Sequence, residues 1–95
     1  MVGVKIKSVS LGKLMLTFME FEPKVSIKAH RHQHEQISVI MKGTAIFCVN
    51  GESQLLAAGD VCVIPSNVEH TIEILDEHTV IYDGWSPVRE DYIVP

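Results

Sequence analysis

The sequence predicts an all-β domain, an antiparallel sandwich or barrel, on three observations. No segment sustains a 3.6-residue apolar period over three turns. Short β-branched or apolar runs recur instead, spaced about 8–12 residues apart. Turn residues close each run, among them Asn50-Gly51, a pair that accepts positive φ and marks a two-residue hairpin.

The runs begin at Leu14–Phe21, which stops near Pro23. Val25–His34 alternates, with Val25, Ile27 and Ala29 on one parity and Ser26, Lys28, His30 and His32 on the other. Ile37–Met41 ends at Lys42-Gly43, and Thr44–Val49 ends at Asn50-Gly51. Gln54–Ala57 follows, and Gly59-Asp60 turns the chain into Val61–Ile64. Pro65 through Asn67 interrupt, before Val68–Leu75 and Thr79–Tyr82 complete eight strands. Ile37–Met41 is apolar on both parities. Such a strand is expected to be covered on both faces, by the interior on one side and by another sheet or a second subunit on the other. A homodimer is therefore expected.

With 95 residues, 46% of them apolar and 21% charged, one domain over residues 1–95 is expected, and wholesale disorder is excluded. Eight Lys and Arg against twelve Asp and Glu give a net charge of −4. That balance argues against nucleic acid and anionic membranes, which reward a basic surface, and leaves a small anionic ligand open. Cys48 and Cys62 lie in apolar runs without CxxC spacing. They read as small buried thiols in a reducing compartment, with a single disulfide between them as the alternative. The N-terminal apolar stretch Leu14–Phe18 is too short for a secretory core or a membrane span. A soluble, cytoplasmic protein is expected.

Four of the five histidines fall in two places, His30, His32 and His34 together and His70 alone. On an extended strand, residues two apart share a face, so His30, His32 and His34 can enter one cavity, and Gln36 continues that parity. Imidazoles about 6–7 Å apart can share an ion if a facing strand supplies another ligand. His70, just after the Pro-Ser-Asn turn, is the candidate; a solvated polar stripe is the alternative reading. His78, beside Asp76 and Glu77, reads as a surface residue.

The stretch His30-x-His32-x-His34-Glu35-Gln36 with Gly43 resembles the first cupin motif, and Gly59, Pro65 and His70 resemble the second. The resemblance covers nearly the whole chain. It implies a small antiparallel jelly-roll β-barrel with one divalent transition metal ion in its mouth. His30, His32, Gln36 and His70 would be the ligands; His34 reads as a substrate-side or proton-shuttling residue if strand parity holds, and as lying outside if the strand bulges. Gln36 stands where the motif usually has glutamate, so the ion would keep its full charge against four neutral ligands, a stronger Lewis acid. Such a donor set suits Zn, Mn, Fe, Ni or Cu alike.

The C-terminal run Tyr82-Asp83-Gly84-Trp85-Ser86-Pro87-Val88-Arg89-Glu90-Asp91 alternates so that Asp83 and Trp85 share a face, and Pro87 can bend Arg89 back toward it. An acid, an aromatic and a guanidinium beside a metal suit a small oxygenated acid. The alternative is a packing Trp85 and a surface-paired Arg89. This run, with the histidine motif, is similar to the pectin-degradation cupins, which convert unsaturated monouronates to linear keto acids. The resemblance implies Asp83, Trp85 and Arg89 as catalytic residues, Trp85 replacing the group's usual phenylalanine. A metal-dependent cupin dioxygenase and a non-catalytic sugar or small-ligand binder are the alternative functions.

Overall fold

A computed structural model describes residues 2–93. Its strands are β1 (Val4–Ser10), β2 (Met15–Phe21), β3 (Ser26–His30), β4 (Glu35–Lys42), β5 (Thr44–Val49), β6 (Glu52–Ala57), β7 (Val61–Ile64), β8 (His70–Ile74) and β9 (Thr79–Ser86), followed by a 3-10 turn at Glu90–Tyr92. They form two antiparallel sheets, β1-β2-β9-β4-β7 and β3-β8-β5-β6. The all-β jelly roll expected from the sequence is the fold observed.

Alternation decides what each strand puts inside. On β2, Met15, Thr17, Met19 and Phe21 are buried; on β9, Thr79, Ile81, Asp83 and Trp85; on β4, Gln36, Ser38 and Ile40. The pairing register lines these up in rows across the larger sheet. One row is Met15–Trp85–Gln36–Ile64, the next Thr17–Asp83–Ser38–Cys62, and the next Met19–Ile81–Ile40. The last row packs with Phe47, Ile72, Ile74 and Ala45 of the smaller sheet into an apolar plug. Burial of each such side chain contributes about 1.5–3 kcal/mol. The plug fills one end of the barrel; histidines and polar side chains fill the other.

Four sequence expectations change. β1 precedes the first expected strand; Val4, Ile6 and Ser8 are only half buried, and Lys5 and Lys7 alternate with them, so its apolar signal is weak. The expected Val25–His34 strand ends at His30, where a register shift after Ile27 releases residues 31–34 from the sheet. The last expected strand runs on to Ser86 instead of stopping at Tyr82. Finally, among the described residues no second sheet covers the outer parity of β4, where Ile37 is 52% and Met41 48% exposed, so of the two expected covers only a second subunit remains. Both cysteines are free thiols.

The β4–β5 turn depends on Gly43, at φ +87°. A Cβ there would strike the Thr79 side chain and come within 2.9 Å of the His78 carbonyl oxygen. Gly43→Ala therefore combines a disfavoured left-handed backbone with a clash against backbone that cannot yield. A destabilisation of about 2–3 kcal/mol is expected, which lowers the melting temperature by roughly 8–20 °C. Gly12→Ala, with nothing within 4 Å of the new methyl group, should melt near wild type. A thermal melt followed by circular dichroism checks both.

Candidate metal centre

His30 and His70 are cross-strand neighbours on β3 and β8, with ring centroids 4.3 Å apart. His32 lies beyond the end of β3, yet its ring is 4.8 Å from that of His70 and 5.5 Å from that of His30. The Pro65–Asn67 turn holds this histidine loop in place. The Asn67 N–H donates to the His32 carbonyl at 2.8 Å, and the Ser66 hydroxyl donates to the Gln33 carbonyl at 2.7 Å. Convergence of the imidazoles thus comes from a clamped loop rather than from strand parity.

In each of the three rings, Nδ1 faces a backbone carbonyl: Lys28 at 2.9 Å from His30, His34 at 3.0 Å from His32, and Val68 at 2.9 Å from His70. A carbonyl only accepts, so Nδ1 carries the proton and Nε2 is left with its lone pair. A backbone partner of this kind fixes the tautomer and ring orientation of a metal-binding histidine. Ligand atoms of His30, His32 and His70 lie within 4.8 Å of one another. The Nε2 of His32 is buried with no hydrogen-bond partner. Burial lowers the pKa of His32 and of His70 despite their backbone hydrogen bonds, with Arg89 and neighbouring imidazoles adding to the effect. Neutral imidazoles are the form a cation requires.

Gln36, on β4, reaches in from the opposite sheet. Its Nε2 donates to Ser38 Oγ at 2.9 Å and to Asp83 Oδ1 at 3.2 Å, while its Oε1 is buried without a partner. The imidazoles of His30, His32 and His70, with the unpartnered amide oxygen of Gln36 on the facing sheet, fit a divalent transition ion. His34 stands beside the cluster, its ring 5.6 Å from that of His32 and its Nδ1 buried and unpartnered.

Asp83 and Trp85 point inward from β9, and with Gln36 and His70 they line one small cavity of about 20 Å³. Ser38 Oγ donates to Asp83 Oδ1 through a short hydrogen bond, and Thr17 Oγ1 donates to Oδ2 at 3.4 Å. Trp85 Nε1 in turn donates to Thr17 Oγ1 at 2.9 Å. Burial pushes the Asp83 carboxyl up to about 6, opposed by its hydrogen bonds to Ser38, Gln36 and Thr17 and by Arg89. Beyond Pro87, Arg89 packs on the aromatic side chains of the tail. Its guanidinium lies 5.0 Å from the Trp85 ring and 4.2 Å from that of Tyr92. It also forks onto Asp91, at 3.2 and 2.8 Å.

Sequence reasoning missed three contributors. Tyr92 roofs the cavity, its ring 5.5 Å from Trp85, and the Ser8 hydroxyl donates to its carbonyl at 2.6 Å. Thr17 and Ser38 carry the network around Asp83, yet nothing but their parity distinguished them. His78 is at the surface as expected, 3.3 Å from Glu20.

A jelly roll with a three-histidine cluster at one end defines a class. The cupin domain model matches residues 17–83, and the chain belongs to the cupin family. More particularly, it is 29% identical over 93 residues to the pectin degradation protein KdgF of Dickeya dadantii (strain 3937), covering 96% of this chain and 84% of that protein. The structure of KdgF from Halomonas sp. superposes with a TM-score of 0.90 at 28% identity, covering 96% of this chain and 84% of that one. An RmlC-like cupin from Shewanella frigidimarina NCIMB 400 gives 0.91 at 28% identity, with 96% and 82% covered. Among the described residues, no helix is long and apolar enough to cross a membrane.

Single replacement of His30, His32 or His70 by Ala is expected to weaken Zn²⁺ binding by more than about 100-fold, beyond what loss of an outer partner costs. His78→Ala should bind as wild type does. Competition against a chromophoric chelator measures both, and equal affinity in all four variants would remove the site.

Proposed function

We propose that this cupin is a metal-dependent isomerase that opens the ring of unsaturated monouronates to give linear keto acids. The observation that carries the reading is the juxtaposition of Asp83 and Trp85 with Gln36 and His70 on one cavity, with Arg89 stacked at its mouth. Similarity to KdgF along nearly the whole chain supports the substrate class. His30, His32, His70 and Gln36 would hold the ion, which when bound supplies Lewis-acid stabilisation of negative charge on oxygen.

The chain's own groups do the rest. Arg89 binds the substrate carboxylate by its planar fork, which requires Asp91 to give way. Trp85 offers a flat face to the sugar ring. Asp83 accepts the proton of the anomeric hydroxyl as the bond between the anomeric carbon and the ring oxygen breaks. That carbon becomes an aldehyde, and the ring oxygen becomes an enol oxygen on the former alkene. The proton returns at the neighbouring carbon as the enol becomes a ketone, so the reaction is an isomerisation with no external oxidant. The cavity accommodates about one water. A six-carbon acid therefore needs the Tyr92 roof and its 3-10 turn to swing aside.

The assay follows loss of the conjugated alkene's ultraviolet absorbance with metal-loaded protein. Asp83→Ala is expected to lower kcat by about 10²–10⁴-fold, the usual worth of a positioned base. Arg89→Ala should act mainly by raising KM. Turnover like wild type in both variants would remove these roles, and a metal-loaded wild type that leaves the absorbance unchanged would remove the substrate class.

We further propose that the chain works as a homodimer, in the cytoplasm, where the free thiols of Cys48 and Cys62 stay reduced. The second copy covers the outer face of the larger sheet. There Val9, Leu16, Gly84, Ile37 and Val63 form one row across all five strands, and Phe18, Tyr82, Val39 and Val61 continue the next. Gly84 floors an apolar concavity of about 830 Å³. Ile37, 52% exposed, stands beside it as a knob. A knob next to a hole on one face is what a two-fold contact needs, each copy seating its Ile37 over the other's Gly84. Strand spacings make each face on the order of 500 Å², so a pair buries about 1,000 Å², enough for a specific interface. Sedimentation should show a dimer for wild type and a monomer for Ile37→Lys and Val63→Lys. A monomeric wild type at 100 μM would remove this proposal.

A further inference from the structure

We propose that Asp83 and Ser38 act on the metal centre through Gln36, as positioning residues that decide which end of its amide faces the histidines. The inference rests on the metal reading above and extends it one layer outward.

A glutamine amide has a carbonyl end that can bind a cation and an NH₂ end that cannot. Side-chain size leaves the two ends interchangeable, so hydrogen bonding has to choose between them. At Gln36 the choice is made by Ser38 and Asp83. Asp83 Oδ1 is an acceptor, and it takes the Ser38 hydroxyl proton. With that proton spent, Ser38 Oγ presents a lone pair to Gln36 Nε2 at 2.9 Å. Asp83 Oδ1 presents another at 3.2 Å. The NH₂ end of the amide is thereby turned toward two acceptors. A flipped amide would set its oxygen against two acceptors, in a place where neither Ser38 nor Asp83 has a proton to offer.

The opposite end is what remains for the cavity. Gln36 Oε1 is buried and unpartnered, in a cavity that His70 also lines. Without Asp83 and Ser38, the NH₂ end could turn round and donate to imidazole lone pairs, such as the orphaned Nε2 of His32. That arrangement would oppose metal uptake. The carboxylate thus keeps the amide oxygen available, and it places a negative charge directly behind a neutral ligand.

Co²⁺ is the probe, its visible spectrum reporting the donor set and a chelator competition giving Kd for folded protein. Asp83→Ala is expected to raise Kd by about 10–100-fold, the range for loss of an outer partner, and Ser38→Ala by a smaller factor. Asp83→Asn, which keeps one acceptor oxygen toward Ser38 and Gln36, should recover to within about threefold of wild type. The deciding measurement is a double-mutant cycle with Gln36→Leu. If Asp83 acts through Gln36, adding Asp83→Ala to Gln36→Leu changes Kd by less than about twofold, within the scatter of such cycles. Additive losses, or an unchanged Kd and spectrum in Asp83→Ala, overturn the inference. Should Asp83→Ala not fold, the same cycle with Ser38→Ala decides by the same criterion. A wild type that takes up no Co²⁺ overturns the metal reading itself, whereas a binding wild type with an additive cycle overturns this inference alone.

Discussion

A carboxylate enclosed between two sheets is the constraint on which the rest of this barrel turns. Asp83 is 3% exposed, on the middle strand of the larger sheet. Unpaired burial of such a charge costs several kcal/mol. Here the cost is offset by donors arriving from both flanking strands in the same cross-strand row, Thr17 from β2 and Ser38 from β4, with Gln36 one row along. A one-residue slip of either neighbour would turn its donor outward and bring an apolar residue in, leaving the acid short of a partner. Polar satisfaction therefore specifies the β2-β9-β4 register together with the apolar rows on either side. The same protons run in one direction, from Trp85 through Thr17 and from Gln36 and Ser38, all toward one carboxylate.

The histidines are held by a different device. Only His30 and His70 are strand residues, and a short connection carries His32. Loops are usually the mobile part of a fold, and a binding site on one needs external support. That support comes from the Pro65–Asn67 turn, whose backbone and hydroxyl donors grip the loop's carbonyls, and from His32 itself, whose Nδ1 binds the His34 carbonyl. The two sequence motifs are thus one structural unit. The second supplies His70 and also the clamp that aims the first.

This division explains what was legible in the sequence. Thr44–Val49 and Val61–Ile64 are strands over the residues their alternation and turns marked, because local chemistry and tertiary packing agree there. Inward placement of Asp83 and Trp85 followed from parity alone. Parity also put His32 and His34 on the side of His30, but it did not show that the chain leaves β3 there, since a register shift between Ile27 and His30 is invisible to a period-two count. β1 was hidden by its lysines, which stand exposed on an edge strand whose inner face is only half covered. Thr17, Ser38 and Tyr92 were not legible for another reason. A hydroxyl becomes informative only once its cross-strand partner is known, and Tyr92 reaches the cavity through a tail whose composition reads as an acidic surface.

The glutamine at position 36, a departure from the glutamate that the cupin motif usually carries, follows from the acid on β9. Gln36 Nε2 is 3.2 Å from Asp83 Oδ1. A glutamate in that place would set one carboxylate oxygen against another, and two like charges at that distance inside a protein cannot both stay ionised. One of them would hold a proton, and the pair would carry a single charge, as Gln36 and Asp83 already do. The difference lies in where that charge stands. With glutamine the charge stays on Asp83, which accepts from the Gln36 amide and lines the same cavity.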